Sequence, residues 1–339
     1  MIRNKFKDFS WNDIMSNRTE IFGLVAIWII LFHINNNIGF FRLPVVSAFS
    51  RLIAVGNAGV DIFLFLSAIG LYYSISKNTI STFYKNRFAR VIIPYIILAI
   101  PYFIWYDFIF AKDGIGQFLL NVGTINYWIN GEHPVWYVAF IVIAYLIFPL
   151  IHYLDKKTRH ISTIAAIPLS ILVEYLLLKS NNILYQNAER ALSRIPIFFF
   201  GYFFVSVITK KINNKNLIVI SFLSIAIGIA TFLILNNNHI VIKRYMFGII
   251  GVSFVLAYSF LRKIFNVQWI RTILNFLGTI SFEIYVVHVL LLRLISNYGL
   301  WEKIPYKIIW YIGIILVSIF IAKLLSLFVS KFLLKNRKC

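Results

Sequence analysis

Long apolar runs separated by short polar segments recur along the chain. A helix rises about 1.5 Å per residue, so about 20 apolar residues cross a hydrocarbon core about 30 Å thick. Ten runs approach or exceed that length. They lie at about residues 20–36, 52–75, 88–110, 135–154, 161–179, 194–209, 217–235, 241–261, 272–295 and 307–334. The pattern predicts an all-α polytopic membrane protein, a bundle of about ten transmembrane helices.

The cations between the runs test this count, because cytoplasmic segments of membrane proteins are enriched in Lys and Arg. With the N-terminus placed in the cytoplasm, 21 of the 33 Lys and Arg residues fall in cytoplasmic segments and 11 in extracytoplasmic ones. We therefore predict that both termini are cytoplasmic. Because the connections are short, residues 1–339 are expected to form one integral-membrane domain. It has a basic N-terminus at 1–18 and the helix bundle at about 20–334.

The composition agrees with this class of protein. Hydrophobic residues make up 60% of the chain and charged residues 13%, which a soluble core could not absorb without exposing large apolar surfaces. The net charge of +21 does not indicate nucleic acid, because the cations flank apolar runs instead of covering one face. The expected partner is the lipid bilayer. Cys339 is the single cysteine, so neither a disulfide framework nor a metal site is predicted.

The first run, from Arg18 to Ile34, carries one histidine, His33. Burying an imidazole without a partner costs roughly 2–7 kcal/mol, and ionisable side chains inside membrane spans usually face the protein interior or a wet cavity. Along a helix, Arg18 and His33 are about 22 Å apart and within about 60° of one face. This helix is therefore expected to present a cation at one membrane surface and an imidazole most of the way across.

The second run contains a carboxylate, Asp61, just inside its first turns. Small residues that allow close backbone approach surround it: Gly56, Gly59, Ser67 and Gly70. Two roles are open for Asp61. It either caps a kink or pairs with a neighbouring cation in a close-packed helix, or it orients His33, as a carboxylate orients the imidazole of a catalytic dyad or triad.

Lys85, Arg87 and Arg90 lie at the predicted cytoplasmic end of the third helix. Arg87 and Arg90 are three residues apart and share a helical face, so their planar guanidinium groups could bind phosphate oxygens together. The alternative is that they only anchor the helix at the cytoplasmic surface.

The connection between the third and fourth runs, residues 126–140, is rich in Trp, Tyr, Asn, Glu and His. An interfacial aromatic belt explains Trp136, but Glu132 and His133 beside stacked aromatic rings also suit a sugar-binding site. In the ninth run, Tyr285 and His288 share a stripe with Ser281. There, His288 either assists proton transfer or is a hydrogen-bonded packing residue. The predicted substrate-binding residues are Glu132, His133, Trp136, Tyr285 and His288.

Five stretches together resemble the integral-membrane acyltransferase family three, in the order found in that family. They are ILFH ending at His33, GVDIFLFLS at 59–67, RFARVIIPY at 87–95, WYVAFIVIAYLIFP at 136–149 and GTISFEIYVVH at 278–288. The resemblance implies about ten helices and O-acetylation of surface polysaccharides, peptidoglycan or related glycans.

The resemblance also implies site residues. Cytoplasmic acetyl-CoA is the expected donor, His33 matches the essential histidine of the first helix, and Arg87 and Arg90 match the arginines of the third. The family usually has an arginine about eleven residues before the histidine, where this chain has Phe22. Arg18, one turn earlier, is the expected substitute. Many relatives carry an extracellular hydrolase-like domain that finishes the transfer, so this chain is expected either to act alone or to hand the acetyl group on to a separate extracytoplasmic transferase.

The expected mechanism places the acetyl-CoA phosphates on Arg87, Arg90 and Arg18, with the thioester directed toward His33. His33 then accepts the acetyl group as an acyl-imidazole or acts as general base, and both roles stay open. A different acyl group, such as succinyl, is equally compatible. An alternative class is a proton-coupled exporter of a glycan or lipid-linked sugar, with His33, Asp61 and Glu174 as a proton path. The expected location is a bacterial plasma membrane.

Overall fold

A computed structural model describes residues 9–38, 47–131, 134–209, 214–234, 240–303 and 306–335 of the chain. Within these ranges the regular structure is helical, and no strand is present. The helices are α1 Trp11–Ser16, α2 Arg18–Ile38, α3 Ser47–Ala54, α4 Ala58–Lys77, α5 Ile80–Phe103, α6 Gly114–Val122, α7 Ile125–Asn130, α8 Trp136–Lys157, α9 Ile161–Lys179, α10 Ile183–Leu192, α11 Ile195–Phe203, α12 Asn214–Ile234, α13 Ile240–Ile264, α14 Gln268–Thr279, α15 Ser281–Asn297 and α16 Lys307–Lys335.

Shorter helical turns extend several of these elements. A π-helical turn, Ile104–Phe110, continues α5, and another, Phe204–Ile208, continues α11. A 3-10 turn, Val55–Asn57, leads into α4, and a second, Leu300–Glu302, follows α15.

Among the described residues, nine helical segments are long and apolar enough to cross a membrane. A tenth is formed if α14 and α15, which meet at an angle of 67°, are counted as one span. Each of the ten predicted runs coincides with one of these segments, so the prediction of a multi-pass helical membrane protein is confirmed. Large apolar side chains are exposed along α9, α12 and α16, as expected for surfaces that face lipid.

The helices pack into two compact units. The first contains Met1–Tyr73, Tyr153–Ile171 and Ser193–Thr279, and the second contains Ser74–His152, Leu172–Leu192 and Ile280–Cys339. Each unit is therefore assembled from three separate stretches of the chain.

In the first unit, α2 packs along α14, and α12 packs along α13. The α2–α14 crossing is close because glycines face it from both helices. A Cβ atom on Gly23 would collide with the carbonyl oxygen of Leu274, and one on Gly278 would collide with the carbonyl oxygen of Thr19. Small residues permit such backbone approach between membrane helices.

The start of α4 also approaches α2 through glycines, as the small residues of the second run predicted. A Cβ atom on Gly56 would collide with the side chain of Phe32, and one on Gly59 would collide with that of Ile29. The second span therefore begins beside the last turns of α2, next to the residue that precedes His33.

One buried carboxylate joins three helices of the first unit. Glu20 of α2 is 0% exposed, and its Oε2 accepts hydrogen bonds from the Tyr258 hydroxyl (3.0 Å) and from Arg262 Nε (2.8 Å). Its Oε1 lies 3.1 Å from Arg271 Nε. Because each carboxylate oxygen lies beside a guanidinium group, these ion pairs hold α13 and α14 to the start of α2.

In the second unit, α15 packs against α5 and α16, and the short helices α6 and α7 pack against each other. The Tyr84 hydroxyl donates to the Leu146 carbonyl at 2.7 Å and joins α5 to α8. Helix α7 ends at Gly131, whose φ of +73° is costly for residues with a Cβ atom. A Cβ atom on Gly131 would lie 3.0 Å from Cα of Asn187, so the end of α7 approaches α10 closely.

Candidate functional site

His33 lies near the end of α2 and is half-buried. It shares a helical stripe with Ile30 and Ala26, which are three and seven residues earlier and both buried. Its ring centroid is 5.3 Å from that of Phe32, and its carbonyl accepts a hydrogen bond from the Asn37 side chain at 2.8 Å. The imidazole therefore belongs to a face of α2 that is packed within the protein.

Arg18 is fixed against α4 in the first unit. Its Nε donates to the carbonyl of Leu66 at 3.0 Å, and its guanidinium carbon lies 4.8 Å from the ring centroid of Phe22. Gly70 makes room for this arrangement, because a Cβ atom there would meet the guanidinium group. The cation thus lies over Phe22, the position where the family usually has its arginine. Substitution of Arg18 for that arginine stays a prediction.

Asp61 and Arg194 form a buried ion pair in the first unit. Asp61 Oδ2 lies 3.4 Å from Arg194 Nε, and Arg194 Nη2 donates to Asn57 Oδ1 at 3.0 Å. Pairing with a cation was one of the two roles open for Asp61, and the structure supplies that cation. Orientation of His33 by Asp61 stays a prediction. The sequence signal for Arg194 was its place at the opening of an apolar span, where a guanidinium requires an acidic partner.

Arg87 and Arg90 lie in the first turns of α5. They are close enough to repel each other electrostatically, and Arg90 is also within electrostatic reach of Glu283 in α15. Arg87 Nε is buried and has no hydrogen-bond partner within the described residues. An unsatisfied buried donor beside a second guanidinium is energetically costly unless an anion or water accepts from it.

A polar cavity of about 320 Å³ lies in the second unit at the other end of α5. Ring, amide and charged side chains from the ends of several helices make up most of its wall. The lining residues are Tyr102, Phe103, Tyr106, Asp113, Gln117, Asn121, Asn126, Gly131, Pro134, Arg190, Arg293 and Asn297. We refer to it as the amide cavity. By the predicted topology it opens on the extracytoplasmic side.

A chain of side-chain amides orders the wall of the amide cavity. Asn121 Nδ2 donates to Asp107 Oδ1 (2.8 Å), Asn126 Nδ2 donates to Asn121 Oδ1 (2.7 Å), and Asn130 Nδ2 donates to Asn126 Oδ1 (2.6 Å). Because Asp107 Oδ1 accepts from Asn121, the Asn121 oxygen is left to accept from Asn126, and the same order continues to Asn130. The Tyr95 hydroxyl also donates to the Asn121 carbonyl at 3.2 Å. Fixed amides of this kind suit recognition of hydroxyl groups.

Of the predicted substrate-binding residues, Glu132 and His133 lie outside the described residues. Trp136 opens α8, and its ring centroid is 6.3 Å from that of Tyr127. Tyr285 is buried, and its hydroxyl accepts a hydrogen bond from the backbone N–H of Tyr137 at 3.3 Å. Trp136 and Tyr285 thus pack in the second unit without lining the amide cavity. Their contact with substrate stays a prediction.

His288 has the geometry of the packing alternative. Its Nδ1 donates to the carbonyl of Ile284 at 2.8 Å, it is 1% exposed, and its ring centroid is 5.8 Å from that of Tyr285. The predicted stripe shared by Tyr285 and His288 is therefore present. A part for His288 in substrate binding stays a prediction.

The residues of the amide cavity were not predicted as a group. The sequence drew attention to residues 126–140, which supply Asn126, Gly131 and Pro134 to the wall. Asn121 and Asn297 are about half the chain apart and carry no periodic signal. They are brought to one cavity by α5, which packs against both α6 and α15.

The fold defines a polytopic membrane protein, and several of its spans contain ionisable side chains. A family model described as an acyltransferase domain matches residues 23–328. The chain therefore belongs to the acyltransferase 3 family and is a membrane acyltransferase. Comparison with curated proteins and with solved structures found no match. The matched region contains His33, Arg87 and Arg90. It begins after Arg18 and Phe22, so it does not test whether Arg18 replaces the arginine that the family usually has at the position of Phe22.

Proposed function

We propose that the protein is an O-acyltransferase of a bacterial plasma membrane. It moves an acetyl group from cytoplasmic acetyl-CoA to a hydroxyl of a cell-surface or cell-wall glycan, or of its lipid-linked precursor. The observation that carries the proposal is the half-buried imidazole of His33 within the first span of an acyltransferase 3 chain. An imidazole is the side chain best suited to proton transfer near neutral pH.

The proposed reaction exchanges a thioester for an ester. The acceptor oxygen forms a bond to the acetyl carbonyl carbon, the carbon–sulfur bond breaks, and CoA leaves as a thiol after taking a proton. His33 either removes the acceptor's proton or first accepts the acetyl group as an acyl-imidazole. Because a thioester is already activated, positioning of the two substrates supplies much of the remaining acceleration.

The donor phosphates are assigned to Arg87 and Arg90. Support comes from the buried Arg87 Nε, which has no protein acceptor in the described part of the chain, and from the second guanidinium one turn away. Phosphate oxygens would satisfy this donor and offset the repulsion between the two cations. Arg18 is assigned a supporting part in the same binding step.

The binding site of the glycan acceptor is assigned to the side of the membrane predicted to be extracytoplasmic. The amide cavity supports this assignment, because aromatic rings beside fixed amide groups are suited to a carbohydrate. The acetyl group then passes either directly to the glycan or to a separate extracytoplasmic transferase.

Thermal unfolding of the detergent-purified protein tests the donor. A ligand that binds only the folded state stabilises it, by about 2.7 kcal/mol at one hundred times its Kd. We expect acetyl-CoA to raise the unfolding midpoint more than succinyl-CoA does. A larger increase of the midpoint with succinyl-CoA would indicate that succinyl is the transferred acyl group. No increase with any CoA species would contradict the proposal and favour the exporter alternative.

A further inference from the structure

Two cavities of the first unit meet between α3, α12 and α13. Each has a volume of about 190 Å³, and Val55 and Phe232 line both of them. We call the first the chain cavity, because its wall is mainly apolar side chains of α2, α12 and α13. We call the second the basic cavity, because Arg51 of α3 and Lys243 of α13 are in its wall. The shared residues make the two cavities one continuous groove.

The wall of the chain cavity suits hydrocarbon. Its two side chains that carry hydrogen-bond donors are already engaged within the protein. Trp28 Nε1 donates to the Leu52 carbonyl at 2.8 Å, and the Ser253 hydroxyl donates to the Ser224 carbonyl at 2.6 Å. Leu52 and Ile229 are exposed members of the wall, so the cavity opens at the surface of the spans, where lipid chains lie.

The basic cavity suits an anion. Neither the Arg51 nor the Lys243 side chain forms an ion pair or a hydrogen bond with another residue that the structure describes. The connections in which they lie, residues 37–51 and 235–243, contain no Asp or Glu. By the predicted topology, Asp61 is the one acidic residue of the first unit toward the extracytoplasmic side, and Arg194 pairs with it. The two cations therefore favour an anionic ligand.

The groove runs from the predicted extracytoplasmic surface into the membrane. Ala257 lines the chain cavity fourteen residues after Lys243, which is about 21 Å along α13 in a hydrocarbon core about 30 Å thick. An apolar cavity of about 150 Å³ accommodates a single benzene ring, so the chain cavity admits part of one hydrocarbon chain. A charged head at the surface above one buried chain is the layout of a single-chain lipid phosphate.

We propose that this groove binds a single-chain lipid phosphate of the outer leaflet, with the phosphate on Arg51 and Lys243 and the chain along Trp28 and Ile229. Phosphate oxygens accept charge-assisted hydrogen bonds from both kinds of cation. The inference rests on the proposed function, because it selects the lipid-linked precursor as the acceptor in place of the finished glycan.

Ligand-dependent thermal unfolding of the full-length protein at a fixed detergent concentration tests this inference. The probes are farnesyl phosphate, farnesol, inorganic phosphate and dioleoyl phosphatidylglycerol. We expect farnesyl phosphate to bind at least about tenfold more tightly than each of the others, since it alone offers one chain and a phosphate together.

Each equal result would overturn the inference in a different way. Equal binding of farnesol would mean that the cations do not read the phosphate, and equal binding of inorganic phosphate would mean that the chain adds nothing. Equal binding of phosphatidylglycerol would make the groove a site for bulk anionic lipid. Binding of none of the probes would also overturn it.

Variants connect the phosphate to the two cations. The double variant Arg51→Gln with Lys243→Gln should bind farnesyl phosphate no more tightly than farnesol, a loss of about tenfold, while farnesol binding stays unchanged. Lys156→Gln, an exposed cation of the same unit outside both cavities, is the matched control. A double variant that behaves like Lys156→Gln would overturn the assignment of the cations.

A second variant tests the chain. Ile229→Trp places a larger side chain at an exposed position of the wall, so we expect the fold to survive and both farnesyl phosphate and farnesol to bind more weakly. Ile227→Trp, an equally exposed position of α12 outside both cavities, is its control. Equal binding by the two variants would overturn the assignment of the chain.

Acetyl-CoA binding measured in parallel separates the two proposals. If acetyl-CoA stabilises the protein and farnesyl phosphate does not, only the lipid-phosphate site fails. If farnesyl phosphate binds and acetyl-CoA does not, the site stands and the donor assignment fails.

Discussion

Nε of Arg194 lies 3.4 Å from Oδ2 of Asp61, and each side chain is 1% exposed. The two residues are in different spans of the first unit and neutralise each other where water is scarce. Removing Asp61 takes this counterion away from the buried guanidinium of Arg194, and breaking a buried pair in this way typically costs about 3–5 kcal/mol.

We therefore expect Asp61→Asn to lower the free energy of unfolding in SDS titrations by about 3–5 kcal/mol. The double variant Asp61→Asn with Arg194→Gln should lose less than the sum of the single variants, because both members of the pair are then removed together. Glu302→Gln, an exposed acid in the second unit, is the control. A loss no greater than that of Glu302→Gln would mean that the pair contributes little.

Gly70→Ala tests the place of Arg18. The new methyl group would meet the guanidinium, which is the mobile end of a flexible side chain, so we expect the fold to survive and Arg18 to move. Loss of the Leu66 hydrogen bond should cost about 1 kcal/mol, and the KM for acetyl-CoA should rise, as we also expect for Arg18→Gln.

The matched control for Gly70→Ala is Gly116→Ala, where no atom lies near the added carbon. If Arg18→Gln raises KM and Gly70→Ala does not, the packing against Gly70 does not position Arg18. If neither variant changes KM, Arg18 has no part in donor binding.

Arg87→Gln and Arg90→Gln test the phosphate assignment. Each should raise the KM for acetyl-CoA about tenfold and leave kcat nearly unchanged, because loss of a phosphate contact weakens substrate binding without altering the chemical step. Arg87→Lys keeps the positive charge but lacks the planar guanidinium group, so its KM for acetyl-CoA should lie between those of Arg87→Gln and the unaltered protein. Lys77→Gln, an exposed cation of the same unit, should match the unaltered protein. Unchanged KM values would leave both arginines as topology anchors.

Gly278→Ala tests the crossing of α2 and α14. The added Cβ would collide with the backbone carbonyl of Thr19, which cannot rotate away as a side chain does. We expect the free energy of unfolding to fall by about 1–3 kcal/mol, the usual cost of overpacking. Gly313→Ala, where the added carbon meets open space, should be neutral. Equal stability of the two variants would contradict this account of the crossing.

The transmembrane spans could be predicted because a peptide backbone in a hydrocarbon environment has few ways to satisfy its hydrogen-bonding groups. A run of about 20 apolar residues must satisfy its backbone internally, so it forms a helix. The ninth run was expected as one helix, whereas the structure divides it at Ile280 with a bend of 67°. No proline marks this position, and Gly278 serves the contact with Thr19, so the local sequence gave no sign of the bend.

The site was only partly predictable for a related reason. Helical period places Arg87 beside Arg90 and puts His33 on a packed face, because these relations are local. The partner of Asp61 lies more than 130 residues away at Arg194, and Asn297 meets the amide cavity from another helix altogether. Such pairings depend on which helices pack together, and apolar runs of similar composition do not encode that choice locally.

His33→Ala provides the most direct measurement of the central claim. Membranes that contain the variant are supplied with labelled acetyl-CoA, and label in the glycan is followed against Asn36→Ala, a change at an exposed position three residues away on the same helix. We predict that transfer falls at least about 100-fold in His33→Ala, while stabilisation by acetyl-CoA persists and Asn36→Ala stays active. Transfer at a near wild-type rate in His33→Ala would contradict the account.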